Sequence, residues 1–366
     1  MEPKHPTVGS RLENTALGAG TVTFVGSEYI GIAFDDGTAA LIRREALATA
    51  EADPVPQVQP SQDGLPWPQS TFVAEGGGAR HFLGSHWDPF VEDSKEIMAQ
   101  LPQIVPKAMV QTGYGDDRPP ARQAPADWPK GFELVWPLRE QGLALILRPE
   151  SAANLIVSLF PFFAQGSQQT LRLRSVLVWE GGLEAQITAA WGAGEVTFFD
   201  TQYLINRAWY EAGMVYDFLL SGVAYSAGLA QPHEWTIQRH PDQVAWMNLR
   251  LKPDEQVHEA ACTMHAEGAA MFLPVPDWDL DDYSFHAPVK SVTGFSDWLG
   301  QDGWRVRATV MRFGDEDAEL DILITRRAWS GDAPPQVGQD IEGRLWLQGR
   351  LWMPRSSKAK VAARRV

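Results

Sequence analysis

The sequence lacks most of the features from which a function is usually recognised. It contains a single cysteine, Cys262, so an intrachain disulfide and every zinc pattern built on cysteine pairs are excluded. Its longest apolar stretch, 155–164, falls well short of the roughly 20 residues that a membrane-spanning helix requires. The first residues carry no apolar core typical of a signal peptide. We therefore expect a soluble protein of the reducing cytoplasm that has no membrane partner.

Catalytic and nucleotide-binding motifs are also missing from the sequence. There is no Gly-x-x-x-x-Gly-Lys-Ser/Thr phosphate loop, no Gly-x-Gly-x-x-Gly opening a helix, no Gly-x-Ser-x-Gly elbow and no His-Glu-x-x-His pair. These absences favour a non-enzymatic protein over an enzyme. No catalytic residue and no cofactor is assigned.

Positive charge is scarce over most of the chain. The sequence has 46 acidic against 31 basic residues and a net charge of −15, which opposes binding to a polyanion. Segment 355–366 is the exception, because it carries five cations and no acid, and we expect it to be a basic disordered tail. Fifteen tryptophans are the most unusual part of the composition, and they suit either β-rich cores or an aromatic recognition surface.

The first fifty residues have the pattern of a small β barrel. Short alternating strands, Gly18 to Val25 and Tyr29 to Phe34, are followed by the hairpin turn signal Asp36-Gly37. Over 9–49 this pattern resembles SH3-like and Tudor-like modules. The resemblance implies a protein-docking domain without catalytic residues, and a purely structural cap is the alternative. Tyr29 and Phe34 are the candidate partner-binding residues here, and no role is assigned to Val25.

Proline divides the next part of the chain. Segment 51–70 is rich in proline and reads as an extended linker between domains. The following region, 71–170, is expected to be mixed α/β, with a long loop at 113–129. Apolar residues at three- and four-residue spacing predict a helix within 90–109 that Pro102 cuts short, and they permit a second helix at 151–164.

From residue 171 onward the apolar period changes to two, which predicts strands. We expect one β lobe at 171–275, possibly OB-like, and an OB-like barrel at 276–354. Segment 285–352 resembles OB-type barrels, although an antiparallel sandwich would give the same pattern. Gly213 and Gly338 each precede a closing strand, which suggests an internal repeat. The predicted fold class is therefore mainly β and multi-domain, with a small SH3-like barrel, OB-like or Greek-key lobes and a few short helices.

Three metal-capable residues lie close together in the sequence. On a helix, His258, Cys262 and His265 would face one way and form three ligands of a zinc site. On a strand, His265 would point away from the other two and the site would not exist. The surrounding alanines favour a helix. A structural role without zinc is the preferred interpretation, and a metal-dependent enzyme is the third functional hypothesis.

Two other short segments contain several side chains that could bind a cation or take part in acid–base catalysis. Segment 277–282 holds four aspartates in six residues, the oxygen density that a hard cation needs, but it lacks the glycine and distal glutamate of an EF-hand loop. A solvated acidic turn is the preferred interpretation. In 80–90, His86 lies beside Ser85 and Asp88 and could form a working pair with either, although a loop anchored by Trp87 is favoured.

The last predicted barrel combines aromatic and basic residues. Arg305 and Arg307 share one face of a strand that begins at Trp304, and Trp346 lies on the closing strand. We predict a non-enzymatic adaptor that binds unidentified proteins through the small barrel and through an aromatic β surface containing these residues. The alternative is binding of single-stranded nucleic acid by the same barrel, since OB-type barrels combine a basic groove with stacked aromatics.

Overall fold

The computed structural model describes most of the chain. The described residues are 6–15, 18–35, 39–44, 69–72, 84–111, 128–151, 153–179, 181–192, 194–231, 234–253, 256, 261–314 and 316–352. The predicted linker at 51–70, the loop at 113–129 and the tail at 355–366 lie almost entirely outside them, as does His258. Strands dominate the described residues and the helices are short, which confirms the predicted mainly β, multi-sheet class.

Twenty strands and three α-helices are described. The strands of the first half are β1 (Arg11–Thr15), β2 (Gly18–Val25), β3 (Tyr29–Phe34), β4 (Ala39–Arg43), β5 (Gln69–Phe72), β6 (Met109–Val110), β7 (Phe132–Pro137), β8 (Gln141–Pro149), β9 (Asn154–Phe163) and β10 (Ser167–Trp179). Those of the second half are β11 (Ala185–Trp191), β12 (Gly194–Asp200), β13 (Val215–Leu229), β14 (Glu234–Gln238), β15 (Ala261–His265), β16 (Met271–Pro274), β17 (Asp282–Trp298), β18 (Gln301–Phe313), β19 (Glu316–Thr325) and β20 (Asp340–Leu351). The helices are α1 (Lys95–Ile104), α2 (Tyr203–Asn206) and α3 (Pro241–Asn248).

The chain divides into two units in a way that differs from the predicted linear domains. The first unit combines 1–59 with the insertion 232–267, and the second combines 60–231 with 268–366. The predicted β lobe at 171–275 is therefore split between the two units. Its strands β10 to β13 lie in the same ten-stranded sheet as the strands of the predicted barrel at 276–354.

The first unit contains a four-stranded antiparallel sheet in the order β1-β2-β3-β4. Its core is formed by Val22, Ile30, Ile32 and Phe34, all buried. This sheet lies where the small barrel is predicted. The insertion adds helix α3 and the two-stranded antiparallel sheet β14-β15 to the same unit.

The second unit is built on two closed rings of five strands that share β13 and β20. One ring runs β10-β11-β12-β20-β13 and returns to β10, and the other runs β17-β18-β19-β13-β20 and returns to β17. Each ring has one parallel pair and otherwise antiparallel pairs. This layout is consistent with the predicted Greek-key barrels of OB type. One continuous hydrophobic core fills the two rings.

The two rings are related by an approximate twofold axis at the Gly222 and Leu347 pair on the shared strands. Strand β12 runs parallel to β20 in one ring, and β19 runs parallel to β13 in the other. The amide of Gly213 donates to the carbonyl of Leu173, and the amide of Gly338 donates to that of Val289. Both glycines have a positive φ, 79° and 85°, which glycine adopts without strain. The two segments suggested as a repeat therefore occupy equivalent positions.

A four-stranded antiparallel sheet, β6-β7-β8-β9, packs against the outside of the rings. One face, including Val135 and Phe160, contacts Phe199 and Trp346 of the rings. The other face packs on α1, which matches the helix predicted within 90–109, although Pro102 lies inside it and does not end it.

The helix permitted at 151–164 does not form, because that segment is strand β9. Its spacing of Leu155, Leu159 and Phe163 fits one face of a strand as well as a helix. Among the described residues, no helix combines the length and the apolar character needed to cross a membrane.

Candidate functional site

An acidic turn at the start of β17 gathers three carboxylates. One carboxylate oxygen from each of Asp279, Asp281 and Asp282 lies within 4.8 Å of those of the other two. Asp281 and Asp282 are buried and Asp279 is half-buried. The turn is fixed by its backbone, since the amide of Asp282 donates to the carbonyl of Asp279 at 3.0 Å. Three carboxylate oxygens from one turn of the second unit therefore lie close together.

Trp346 supports this turn from the shared strand β20. Its indole Nε1 donates to Asp281 Oδ2 at 3.0 Å, and its ring is fully buried against Phe160 and Phe199. Burial first, and the charge of Asp282 second, raise the pKa of Asp281 to about 7. The turn thus holds a carboxyl group that water does not solvate.

A hydrogen-bonded chain joins the turn to His86. The hydroxyl of Tyr225 donates to Asp282 Oδ1 at 2.7 Å and lies 2.6 Å from His86 Nδ1. Because the tyrosine proton is used on the carboxylate, His86 must donate through Nδ1–H. Burial lowers the pKa of His86 to about 3, so the ring stays neutral, and it stacks on Trp346 with the ring centres 3.9 Å apart.

The rim of the site is apolar and exposed. Trp278 is 44% exposed, and Leu273 and Leu280 are each 57% exposed. The ring of Trp278 lies edge-on to Tyr225 at 5.8 Å, and the guanidinium of Arg344 lies 5.0 Å from its centre. We call residues 273–280 the Trp278 segment.

A second group of buried acids lies elsewhere in the second unit. Asp200, at the end of β12, accepts hydrogen bonds from the hydroxyl of Tyr210 and from the amide of Gln202. Burial raises the pKa of Asp200 to about 7, against the opposing effects of Tyr210, Gln202 and Arg350. Burial also raises the pKa of Glu133, and the charge of Asp200 adds to that effect. Neither oxygen of Glu133 has a hydrogen-bond partner among the described residues.

The residues considered as zinc ligands are not on a helix where the structure describes them. His258 lies outside the described residues. Cys262 and His265 lie on strand β15, which pairs with β14, and not on a helix. Positions three apart on a strand fall on opposite faces, so these two positions share no face. The alanine-rich sequence around them favoured a helix, but pairing with β14 decided the local structure.

The two arginines of the predicted basic surface, Arg305 and Arg307, are both paired with Asp321. Both Nε and Nη2 of Arg305 donate to Asp321 Oδ2, at 3.0 and 2.6 Å, and Nε of Arg307 donates to Asp321 Oδ1 at 2.9 Å. Asp321 is only 1% exposed, so both guanidinium groups are held against the sheet. Trp304 is 9% exposed and packs against Trp329. A groove of about 250 Å³ runs beside Arg305, but Glu140 also lines it.

The remaining predicted partner-binding residues are not all at the surface. Trp346 is fully buried and Phe34 is 7% exposed, so neither offers much area to another protein. Tyr29 is half-buried, with its ring 5.5 Å from that of His240. Its amide donates to Asp242 of α3 at 3.3 Å.

Comparison with protein-family models, curated proteins and solved structures found no match for this chain.

The sequence identified two parts of the acidic site but not their connection. Segment 277–282 and His86 were each singled out separately, about 190 residues apart. Tyr225, which joins them, lies in a long apolar strand, where alternation predicts a core residue. Trp346 was assigned to a surface. Only the strand order, which brings β13, β17 and β20 side by side, reveals the site.

Proposed function

We propose that this protein is a non-enzymatic docking protein and that the Trp278 segment is its partner-binding surface. The observation that carries the proposal is the exposure of Leu273, Trp278 and Leu280 within eight residues. Exposed apolar groups concentrated in one place are typical of interaction sites, and tryptophan is the side chain most enriched at binding hot spots.

The expected partner is a protein segment that carries both apolar and basic side chains. Asp277, which precedes Trp278, is exposed, and Asp279, which follows it, is half-buried. The net charge of −15 attracts a basic partner over a longer range. Arg344 already lies over Trp278, which indicates that a guanidinium suits this aromatic face.

The small sheet of the first unit is a weaker candidate for the docking surface. The region around Tyr29 already contacts α3, through Asp242 and His240 of the same unit. We therefore assign docking to the Trp278 segment and treat the SH3-like sheet as the support of the insertion. A single cysteine suits a reducing compartment, so we infer that the protein acts in the cytoplasm.

Selection of displayed random peptides on the purified protein tests the proposal. A parallel selection uses the Trp278→Ala variant, and peptides that bind both proteins are discarded. We expect the remaining peptides to combine lysine or arginine with large apolar residues, because the surface is apolar and acidic. Enrichment of acidic peptides, or no enrichment that depends on Trp278, would contradict the proposal.

A further inference from the structure

The Trp278 segment belongs to a continuous surface that crosses three strands. Leu273 on β16 pairs with Ser284 on β17, and Ser284 pairs with Arg344 on β20. Directly opposed residues of a sheet point to the same face, so these three side chains form one row. The guanidinium of Arg344 lies 5.0 Å from the centre of the Trp278 ring, which brings the tryptophan to the same row. The surface therefore extends beyond the Trp278 segment, onto β17 and β20.

Acidic side chains flank this row. Asp277, which precedes Trp278, is exposed, and Asp279, which follows it, is half-buried. Glu342 is also half-buried and lies two residues before Arg344 on β20, and residues two apart on a strand share a face. Three carboxylates against one guanidinium give the surface a net negative charge, which favours a cationic ligand.

One segment of this chain has matching chemistry. Residues 353–366 follow Trp352 and lie outside the described residues. We call them the basic segment, because they contain five cations and no acid, with alanine and valine between the cations. The other long segments outside the described residues, 45–68, 73–83 and 112–127, are neutral or net acidic. Among these segments, the basic segment alone has a charge that fits the surface.

The basic segment is long enough to reach the surface. Trp352 follows Arg344 by eight residues, most of them in β20, so the two residues are at most about 28 Å apart. The 14 residues of the basic segment span up to about 46 Å. Its last three cations, Lys360, Arg364 and Arg365, can therefore lie beside Trp278.

We propose that the basic segment binds the Trp278 segment of its own chain and competes there with partner proteins. This inference rests on the proposed docking function, since both use the same surface. The cations of the basic segment would face the three carboxylates, and its valines would cover part of the exposed leucines. A tethered ligand acts at an effective concentration of about 1 mM, so a contact with a Kd of about 100 μM for the free peptide keeps most of the surface covered. A partner must then bind more tightly than the basic segment in order to displace it.

Binding of a labelled synthetic peptide with the sequence of the basic segment tests the proposal. Fluorescence anisotropy at about 100 mM NaCl gives its Kd for the unaltered full-length protein and for full-length variants. The basic-segment variant carries Lys360→Gln, Arg364→Gln and Arg365→Gln. We expect it to bind the peptide at least about fivefold more tightly than the unaltered protein, because its surface is no longer covered.

The matched control replaces three exposed lysines of the second unit by glutamine: Lys95→Gln, Lys107→Gln and Lys130→Gln. It removes the same charge, so the long-range attraction of the basic peptide rises equally in both variants. We expect the control to bind the peptide within about twofold of the unaltered protein. Adding Trp278→Ala to the basic-segment variant should weaken binding at least about fivefold. Circular dichroism establishes that each variant is folded.

Three results would overturn the proposal: equal affinity of the unaltered protein and the basic-segment variant, an equal gain in the lysine control, or binding that does not depend on Trp278. The displayed peptides distinguish this outcome from failure of the docking function. If they require Trp278 but bind the unaltered protein and the basic-segment variant equally, the basic segment does not cover the surface and the docking function stands. If they do not require Trp278, the docking function itself fails.

Discussion

Trp346 Nε1 donates a hydrogen bond to Asp281 Oδ2 across 3.0 Å, and neither side chain has any exposed surface. Replacing Trp346 by phenylalanine removes the donor and leaves a buried acceptor and a gap. We expect Trp346→Phe to lower the free energy of unfolding by about 3 kcal/mol. Urea denaturation measures this loss. Trp352→Phe, at a partly buried tryptophan on the same part of the chain, should cost about 1 kcal/mol or less.

Gly343 on β20 leaves no room for a side chain beside β13. A Cβ added there would lie 2.0 Å from the backbone oxygen of Ser226 on β13, so the strands would have to separate. We expect Gly343→Ala to cost about 3 kcal/mol or to prevent folding. Gly213→Ala is the comparison, because it has a positive φ but no atom within 4 Å of its Cβ position. Backbone strain alone should lower the free energy of unfolding of Gly213→Ala by about 1 kcal/mol. Equal losses of unfolding free energy in the two variants would contradict the shared-strand fold.

Stability should fall as the pH rises through the range in which Asp200 ionises. The folded protein keeps this carboxyl protonated up to a pKa of about 7, whereas its ordinary value is 3.8. Between those two pH values the native state binds more protons than the unfolded state. The stabilisation of the native state by the protonated carboxyl is therefore complete below about pH 4 and is lost by about pH 7. Over that range the free energy of unfolding should fall by about 4 kcal/mol.

Asp200→Asn tests this pH dependence because it removes the ionisable group and keeps most of its shape. We expect the denaturation free energy of the variant to decline less between pH 5 and pH 7 than that of the unaltered protein. Asp332→Asn, which removes an exposed carboxyl, should leave the slope unchanged. An unchanged slope for Asp200→Asn would mean that its pKa is not raised.

Asp242 connects the insertion to the small sheet within the first unit. Its carboxylate accepts hydrogen bonds from the amides of Glu28 and Tyr29, at 2.7 and 3.3 Å, and from the hydroxyl of Ser27. We expect Asp242→Ala to speed hydrogen exchange at these two amides about tenfold. Asp35→Ala, which breaks an exposed pair with Arg11 on the same sheet, should leave that exchange unchanged.

The sequence predicted the fold where one pattern dominates over a long stretch. Alternation from residue 171 onward indicated strands, and spacing of Ile97, Leu101 and Ile104 indicated α1, because only one face of that helix is buried. Strand β9 was ambiguous, since its last residues are buried on both faces between the rings and α1. A segment without a polar face gives no period from which helix and strand can be distinguished.

Contacts between distant segments could not be predicted from one sequence. Nothing in the local pattern indicates that 232–267 joins the first unit or that β13 and β20 are shared by two rings. The same limit applies to the acidic site. Segment 277–282 was considered as a possible cation ligand, with a solvated acidic turn preferred, but Tyr225 becomes relevant only because the strand order brings β13 near β17. Acids on the same strands were expected to be able to pair with Arg305 and Arg307, but only the register of β18 with β19 shows that Asp321 binds both.

The measurement that tests the central claim most directly is the affinity of a selected basic, apolar peptide for the Trp278 segment. Fluorescence anisotropy gives the Kd for the unaltered protein, for Trp278→Ala and for Leu249→Ala, which truncates an apolar residue that is 66% exposed in the other unit. Docking at Trp278 predicts at least about 30-fold weaker binding for Trp278→Ala and an unchanged Kd for Leu249→Ala. Equal affinity of all three proteins would contradict it.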